Sequence, residues 1–398
     1  MKLVWLSAEC PYPPNTGGRM VTWKRIEKLS RQHEIVLFSV IDADDEHKYK
    51  SNIENYCKEV YFFQRKKSIG IYVHSMFKPY PAVSRWSKEF RRKLEEVCLN
   101  FAPDYVVIDF PQMYGNLSKK VKKNFKIILN QHNIEYLTMK NIAKAQENVL
   151  KKTMFSMVSQ QMKKYENKIY KENSIFCYTF VSKTDKDFFE KSYKKKNTYL
   201  FPIGCEPKMS CLPENKKTIA FIANYSYMPN SEGALWFLSH VWQKIQESMP
   251  DAVLSLVGKG PSEYLRQEAK KYNNVIVTGA VKSVEKDYYE NNIIIVPLFS
   301  GGGAKVKLIE ALGYGKIVVS TTEGARGTDF THGEELFITD EANQFASYCI
   351  EAMLNPEAYE AMRMQAFEKV TRQYSWDKIV SDFDEFLKNK DEYSESES

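Results

Sequence analysis

Short apolar runs alternate with amphipathic segments along the whole chain. The runs are rich in β-branched and aromatic residues and are nearly continuous rather than alternating in polarity, which is typical of strands buried on both faces. In order they are LVWLS, EIVLFSV, VYFFQ, YVVIDF, KIILNQH, IFCYTFVS and TYLFPIG, then TIAFIANY, AVLSLVG, VIVTGAV, NIIIVPL and KIVVST. Because helix-length segments separate them, the pattern predicts an α/β fold of two βαβ series, each with a parallel sheet.

The two series are separated by GCEPKMSCLPENKKT, residues 204–218, which contains Pro, Gly and charge but no hydrophobic period. We interpret it as the interdomain linker. It predicts an N-terminal domain over residues 1–205 and a C-terminal domain over residues 206–372. An amphipathic helix over residues 373–390 follows, and residues 391–398 have the acidic, polar composition of a disordered tail.

Charge is distributed unevenly between the two predicted domains. Residues 1–205 carry 37 Lys and Arg against 21 Asp and Glu, a net charge of +16, whereas the remainder carries −9. The basic half is therefore expected to meet an anionic partner, and nucleic acid, an anionic membrane and a phosphorylated acceptor all fit. Residues 77–97 mix aromatic and basic side chains, which fits either a helix in a membrane interface or an ordinary helix packed by Trp86 and Phe90.

The seven cysteines form no CxxC pair and no Cys/His cluster with zinc spacing. They are typical of reduced thiols in a cytoplasmic protein. The apolar run at the N-terminus is too short for a signal peptide. No segment approaches the ~20 apolar residues that cross a bilayer. We therefore expect a cytoplasmic protein, with its basic half as the candidate for contact with the inner membrane face.

A run of three glycines, in PLFSGGGAKVKLIEALGYGKIVVS, follows a predicted strand and precedes a predicted helix. Free N–H groups at a helix start bind anions, and glycine lets a phosphate approach closely. Lys305 and Lys307 add positive charge, and Glu310, one turn beyond Lys307, can accept hydrogen bonds from a pair of sugar hydroxyls. We predict a phosphate site here, with a simple turn before a surface helix as the alternative. The spacing is neither GxxxxGK[ST] nor GxGxxG, which disfavours an ATPase or a dehydrogenase.

A second glycine pair, Gly17 and Gly18, follows the first predicted strand and opens a helix that carries Arg19. It is a second candidate anion site, with a structural turn as the alternative. Two such loops, one in each α/β domain, suggest a ligand held between the domains. The DAD sequence at residues 42–44 imitates a metal-binding DxD, but its position after the second strand favours an ordinary loop.

Several segments together resemble a known family. They are PYPPNTGGR, NQHNIEY, FVSKTDKDFF, FIANYSYMPNSEGALWF, LVGKGP, VTGAV, the GGG segment and YSWDKI, and they span nearly the whole chain. In order and spacing the chain resembles family 4 glycosyltransferases of the GT-B fold, in particular a subgroup with a GGG loop. The resemblance implies two facing Rossmann-like domains and a C-terminal helix that crosses back to the first domain. It also implies retaining transfer from a nucleotide-diphosphate sugar, with no metal and no other cofactor, to a lipid-linked or glycan acceptor in surface polysaccharide biosynthesis.

The resemblance also implies roles for single residues. Glu310 matches a glutamate that binds the ribose hydroxyls, and Lys307 matches a lysine at the diphosphate. His132 matches a histidine beside the transferred sugar. The predicted catalytic residues are thus His132 and Lys307. The predicted donor-binding residues are Gly17, Gly18, Arg19, Gly302, Gly303, Ala304, Lys305, Lys307 and Glu310.

Two departures from the family pattern keep alternatives open. Gly302 stands where many relatives have a glutamate that contacts the transferred sugar, and ANYSYMPN lacks the Arg and Lys that many relatives carry after this strand. Either Lys305 replaces them or the phosphates rely more on backbone N–H groups. A catalytically silent GT-B partner subunit and a GT-B nucleotide-sugar epimerase or phosphorylase are the alternatives. Nucleic-acid binding would explain the basic half but not the GGG loop, and no recognition motif is present.

Overall fold

The computed structural model describes residues 1–68, 70–71, 75, 78–146, 148–214, 216–301 and 305–395, with side chains up to residue 389 except that of Ala145. The chain divides into two compact units. One comprises Met1–Ile203 together with the chain from Ile379 onward, and the other comprises Gly204–Lys378. Within the described part, no helix has the length and apolar character needed to cross a membrane.

The first unit is built on a seven-stranded sheet in the order β3-β2-β1-β4-β5-β6-β7, with every neighbouring pair parallel. Its strands are β1 Lys2–Ser7, β2 Glu34–Ile41, β3 Glu59–Gln64, β4 Tyr105–Asp109, β5 Lys126–Gln131, β6 Ile175–Phe180 and β7 Thr198–Leu200. Its α-helices up to Ile203 are α1 Gly17–Leu29, α2 Lys50–Glu54, α3 Tyr80–Arg85, α4 Lys88–Phe101, α5 Lys119–Asn124, α6 Glu135–Ala145, α7 Val149–Tyr170 and α8 Lys183–Tyr193. Short 3₁₀ helices cover Asp44–Tyr49 and Pro111–Asn116.

The second unit has a six-stranded parallel sheet in the order β10-β9-β8-β11-β12-β13. Its strands are β8 Thr218–Ile222, β9 Val253–Val257, β10 Val275–Gly279, β11 Ile293–Val296, β12 Ile317–Ser320 and β13 Phe337–Ile338. Its α-helices are α9 Met228–Trp236, α10 Gln243–Ser248, α11 Glu263–Ala269, α12 Glu285–Glu290, α13 Val306–Gly313, α14 Thr322–Ala325, α15 Ala342–Leu354 and α16 Glu360–Gln373. A π-helical segment, Phe237–Trp242, joins α9 to α10, and a 3₁₀ helix covers Pro356–Tyr359.

The predicted α/β architecture with a parallel sheet in each half is confirmed. All twelve apolar runs form strands. The central strands are buried on both faces, as a continuous apolar run requires, whereas the edge strands β7 and β10 are partly exposed, with Ile276 of β10 at 52%. The sequence pattern missed β13, which has only two residues. A strand that short leaves no periodic signal.

In both sheets the strand order reverses beside the unit's first strand. The reversal lies between β1 and β4 in the first sheet and between β8 and β11 in the second. Ligands of open α/β sheets bind outside the carboxyl ends of the strands at such a point. The loops that follow these four strands are therefore the expected positions of functional residues.

The last helix, α17 Trp376–Glu395, begins in the second unit and continues in the first from Ile379 onward. Phe383 is fully buried there and stacks on Phe201 with ring centroids 4.1 Å apart. His33 Nε2 lies 2.9 Å from a carboxylate oxygen of Asp384. The helix thus closes the apolar cluster beneath the first sheet, and it extends five residues into the segment predicted to be a tail.

Candidate functional site

The first turns of two helices are joined at the reversal point of the second sheet. Lys307, in the first turn of α13, donates from Nζ to Asn230 Oδ1 at 2.9 Å. Asn230, in the first turn of α9, donates from Nδ2 to the carbonyl oxygen of Asn224 at 2.7 Å. Because α9 follows β8 and α13 follows β11, this chain of hydrogen bonds fixes the lysine at the point where the fold places ligands.

Among the described residues, Lys307 has a neutral hydrogen-bond partner and no carboxylate within ion-pair distance. Burial, together with repulsion from Lys305, lowers the pKa of Lys307 to about 8, and attraction to Glu310 offsets this only in part. Its hydrogen-bond acceptor, the side-chain amide oxygen of Asn230, is neutral. A buried ammonium facing a neutral acceptor gains strongly from an added anion, since a charge-assisted bond would replace a neutral one.

Glu310 lies one turn further along α13 and contacts a stacked pair of tyrosines. Tyr288 donates its hydroxyl to Glu310 Oε2 at 3.4 Å, and its ring stacks on Tyr314 at 4.3 Å. Burial raises the pKa of Glu310 to about 7, while the hydrogen bond from Tyr288 and the charge of Lys307 oppose that rise. In the described part of the chain this long hydrogen bond is the one that Glu310 accepts, which leaves acceptor capacity on the carboxylate for hydroxyl donors of a ligand.

Lys305, just before α13, differs from Lys307 in having a carboxylate partner. It is 5% exposed, and its Nζ lies 3.2 Å from Oε1 of Glu323 in α14. Burial lowers its pKa, and the ion pair with Glu323 opposes the shift. The remaining predicted members of the loop, Gly302, Gly303 and Ala304, lie outside the described residues.

Glycines allow the loops around this edge to approach one another closely. Gly258, directly after β9, has a φ of 134°, and a Cβ there would lie 1.8 Å from the carbonyl oxygen of Ala223. Gly301 has a φ of 116°, and a Cβ there would lie 3.0 Å from the hydroxyl of Tyr227. Both positions combine a left-handed backbone with close contact, which glycine alone tolerates well.

The corresponding edge of the first sheet is organised around Asp109, the last residue of β4. Its fully buried carboxylate accepts hydrogen bonds from Trp5 Nε1 at 2.7 Å, Thr22 Oγ1 at 2.8 Å and Asn130 Nδ2 at 2.8 Å. His132 Nε2 lies 3.4 Å from Oδ1. Burial alone would raise the pKa of Asp109, but these donors outweigh it and hold the pKa below the ordinary value. The carboxylate is thus charged and fully partnered.

His132 follows β5 at this edge, as the sequence predicted, and is held on two sides. Its ring stacks on Phe110 with centroids 4.2 Å apart, and Phe110 has a φ of 69°. Its Nε2 faces Asp109 at 3.4 Å. A carboxylate partner on one side and a stacked aromatic ring on the other hold the imidazole in one orientation.

Gly17, Gly18 and Arg19 open helix α1, as predicted, but the charge of Arg19 is matched within the domain. Its Nη2 lies 2.7 Å from Glu46 Oε1 and its Nε lies 3.2 Å from Glu9 Oε2. A Cβ at Gly18 would lie 3.0 Å from Glu9 Oε1, whereas one at Gly17 would meet nothing within 4 Å. The turn therefore has free space beside Gly17, whereas the carboxylate of Glu9 fills the space beside Gly18.

Four residues of these edges were missed from the sequence: Asp109, Asn230, Tyr288 and Arg85. Arg85, in α3, donates from Nε to the carbonyl oxygen of Ala8 at 2.7 Å, just beyond β1. Asp109 alone had a usable signal, since an acidic residue ends the otherwise apolar run YVVIDF. The other three come from helices whose amphipathic patterns do not distinguish them from surface residues.

Comparison with known proteins gives relatives for the second unit and for the fold of the whole chain. Residues 216–355 match a family described as "Glycosyl transferases group 1". The chain is 28% identical over 392 residues to an uncharacterized 44.6 kDa protein in the cps region of Klebsiella pneumoniae, covering 96% of this chain and 98% of that protein. Anabaena HepE in complex with UDP aligns with a TM-score of 0.67 at 11% identity, covering 98% of this chain and 100% of HepE. WaaG, a glycosyltransferase involved in lipopolysaccharide biosynthesis, aligns with a TM-score of 0.64 at 12% identity, covering 96% and 99%.

The predicted GT-B fold, with a Rossmann-like sheet in each unit, is confirmed by these alignments. The matched segment, residues 216–355, is similar to group 1 glycosyl transferases, and this similarity indicates that the protein is a glycosyltransferase. That segment contains Lys305, Lys307 and Glu310. Assignment to family 4 and to its GGG-loop subgroup stays a prediction.

Proposed function

We propose that the protein transfers a sugar, with retention of anomeric configuration, from a nucleotide-diphosphate sugar to a glycan or lipid-linked acceptor in surface polysaccharide biosynthesis. The observation that carries the proposal is the pairing of Lys307 and Glu310 on the first turns of α13, at the reversal point of the second sheet. A desolvated cation and a carboxylate with spare acceptor capacity suit the two ends of a nucleoside diphosphate.

In this proposal Lys307 binds the diphosphate and Glu310 binds the ribose hydroxyls. As the bond from the anomeric carbon to the phosphate oxygen breaks, negative charge grows on the departing diphosphate. Lys307 and the N–H groups at the start of α13 stabilise that charge, which lowers the barrier because they are already in place. These groups supply the positive charge that a divalent cation supplies elsewhere, so we propose transfer without a metal.

The edge of the first sheet is proposed to serve the transferred sugar and the acceptor. His132 is the proposed catalytic residue there, and Asp109 holds its ring in position. Gly17, Gly18 and Arg19 are proposed to lie near the donor phosphates, with Arg19 acting through its ion pairs with Glu9 and Glu46. No nucleophile for a covalent intermediate was identified from the sequence, which favours attack and departure on one face of the sugar.

The biological setting of the proposal comes from the relatives. The Klebsiella protein is encoded in a cps region, and WaaG acts in lipopolysaccharide biosynthesis. HepE binds UDP, which makes a uridine donor the first to test. We propose that the protein acts in the cytoplasm at the inner membrane face and binds no nucleic acid.

The transfer itself can be tested with a panel of UDP-, GDP- and ADP-sugars and a lipid-linked glycan extract as acceptor, in the presence of EDTA. We expect nucleoside diphosphate release with one donor that depends on the acceptor and is lost in Glu310→Ala and in His132→Ala. Glu357→Ala, at an exposed glutamate of the same domain, serves as the control. Donor conversion without acceptor would instead indicate an epimerase. Acceptor-dependent release that persists in Glu310→Ala would indicate that this edge is not the donor site. Release with none of the donors would favour a silent partner subunit.

A further inference from the structure

The aromatic and basic segment of residues 77–97 does not provide an apolar surface. Phe90, in α4, is fully buried in the core of the first unit. Trp86 is partly exposed, but Lys66 and Arg91 lie over its ring at 5.4 and 5.6 Å. The described residues of this segment thus fit the ordinary packed helix rather than a membrane-inserted one.

A large exposed apolar surface lies instead on α7, at its N-terminal end. Leu150 is 81% exposed, Val149 73%, Met157 55% and Met154 52%. The helix packs against α6 as a hairpin, and these four residues follow the connection between the two helices. Isolated exposed apolar residues are common, but four on the first turns of one helix form a patch that needs a partner.

Helical geometry places the four side chains on one face, away from the core. At about 100° per residue, residues 149, 150, 154 and 157 fall within an arc of roughly 140°. The buried residues of the same helix, Ser159, Met162, Glu166, Ile169 and Tyr170, fall on the opposite side. The apolar arc therefore cannot be explained as part of the core.

Lysines border the apolar face on both sides. Lys151 and Lys152 flank the arc on α7, and Lys140 and Lys144 lie on the last two turns of α6. All four are exposed, and no ion pair joins any of them to a carboxylate in the described parts of the chain. The combination of an apolar face with basic flanks is that of a helix lying in the interface of an anionic bilayer.

We propose that the tip of the α6–α7 hairpin, comprising Lys140, Lys144 and residues 149–157, docks the protein on an anionic lipid surface. The charge selects this occupant. A second copy would bring the same four lysines against these, whereas anionic headgroups complement them and lipid chains accept Val149, Leu150, Met154 and Met157. The net charge of +16 on residues 1–205 adds longer-range attraction. Docking at this hairpin rests on the proposed location at the inner membrane face, but it is independent of sugar transfer, because lipid binding needs neither donor nor acceptor.

The test is vesicle flotation of the full chain at low and high salt. The vesicles contain either phosphatidylglycerol mixed with phosphatidylcholine or phosphatidylcholine alone. We expect retention on the anionic vesicles at low salt, weakening as salt rises, and little retention on the neutral ones. Equal retention on both kinds of vesicle would overturn the proposal, and so would no retention on either.

Two variants separate the apolar and the basic contributions. The apolar variant carries Val149→Ser, Leu150→Ser, Met154→Ser and Met157→Ser, and the basic variant carries Lys140→Gln, Lys144→Gln, Lys151→Gln and Lys152→Gln. Each should lower partitioning onto anionic vesicles at least tenfold. The control variant, Lys119→Gln, Lys120→Gln, Lys123→Gln and Lys194→Gln, removes the same charge from other exposed positions of the same domain and should lower it less than threefold.

Two other outcomes would also overturn the proposal. An equal loss in the control variant would mean that charge spread over the domain, rather than the hairpin, binds lipid. If the wild type is a dimer by light scattering and the apolar variant a monomer, the face joins two copies and the proposal fails. Melting temperatures identify variants that do not fold, and the single change Leu150→Ser, which should weaken partitioning severalfold, replaces any that fail. Nucleotide binding should be unchanged throughout, so this proposal and the proposed transfer can fail separately.

Discussion

Charged side chains line the carboxyl edges of both sheets, but hydrogen-bond and ion-pair partners match their charges to different degrees. In the first unit, Asp109 accepts from Trp5, Thr22 and Asn130, and Arg19 is shared between two glutamates. In the second unit, Lys307 is bonded to a neutral amide and Glu310 to one distant hydroxyl. The pKa values differ accordingly, because partners lower that of Asp109 despite its burial, whereas burial prevails at Glu310 and Lys307.

The difference distinguishes two kinds of charged residue. Those of the first edge have their charges matched within the domain, whereas those of the second edge are the ones proposed to bind a ligand. A buried charge with all its partners gains little from a further ion, and removing it leaves those partners unsatisfied, which strongly destabilises the fold. A buried charge without a matching partner destabilises the fold until a ligand supplies one. On this view the first edge is mainly a rigid support for His132, and the second edge binds the charged part of the donor.

Asp109→Asn tests the structural role of the first edge. Of the variants described here, it should have the largest effect on the free energy of unfolding. The amide leaves several buried donors without a charged acceptor, so we expect the free energy of unfolding to fall by about 3 kcal/mol. Urea denaturation followed by fluorescence measures this, and the affinity for nucleotide should stay within about twofold of wild type. A loss of affinity without a loss of stability would reverse the roles assigned to the two edges.

Lys307→Met tests the proposed role of the second edge in binding. We expect the affinity for nucleotide to fall and the stability of the protein to rise. Loss of a charge-assisted bond of about 1.5–3 kcal/mol predicts nucleoside diphosphate binding weaker by roughly 10- to 100-fold. The lowered pKa of Lys307 means that the folded state disfavours the charged form, so its stability is reduced wherever the lysine must be protonated, below about pH 8.

Methionine removes this charge, and the melting temperature at pH 7 should therefore rise by a few degrees. Differential scanning calorimetry gives the melting temperature, and Lys244→Met, at an exposed lysine of the same unit, is the control. A fall in both affinity and melting temperature would indicate that Lys307 is a structural residue.

The pH dependence of nucleotide binding sharpens the comparison further. Below its pKa of about 7, Glu310 is protonated and loses its strength as an acceptor, and above its pKa of about 8, Lys307 loses its charge. Affinity should therefore peak between these values and fall severalfold by about pH 6 and about pH 9. In Glu310→Gln the fall in affinity at acid pH should disappear, and in Lys307→Met the fall at alkaline pH should disappear. A wild-type affinity that does not change with pH would contradict this assignment.

Arg19→Gln should have the smallest overall effect of these variants. Because Glu9 and Glu46 already match its charge, nucleotide affinity should change by less than about threefold, whereas stability should fall by about 1 kcal/mol. Calorimetric titration and urea denaturation measure the two quantities. A tenfold loss of affinity would instead support the direct donor contact predicted from the sequence.

The fold was largely predictable from sequence because its strands are continuous apolar runs and its connections are helices. The GGG segment also led to Lys307 and Glu310, since strand, glycines and helix are adjacent in the chain. The partners of these residues were not predictable. Trp5 meets Asp109 across 104 positions, and Asn230 meets Lys307 across 77. Such contacts depend on strand order, which local patterns do not encode.

The most direct test of the account is calorimetric titration of the protein with UDP, GDP and ADP in EDTA, repeated with Glu310→Ala and the control Glu357→Ala. We expect one nucleotide to bind without metal. Glu310→Ala should weaken the affinity for this nucleotide at least tenfold, and Glu357→Ala should leave the affinity unchanged. Binding that is equally strong in Glu310→Ala, or no binding of any nucleotide to the wild type, would contradict the claim that the edge of the second sheet is the donor site.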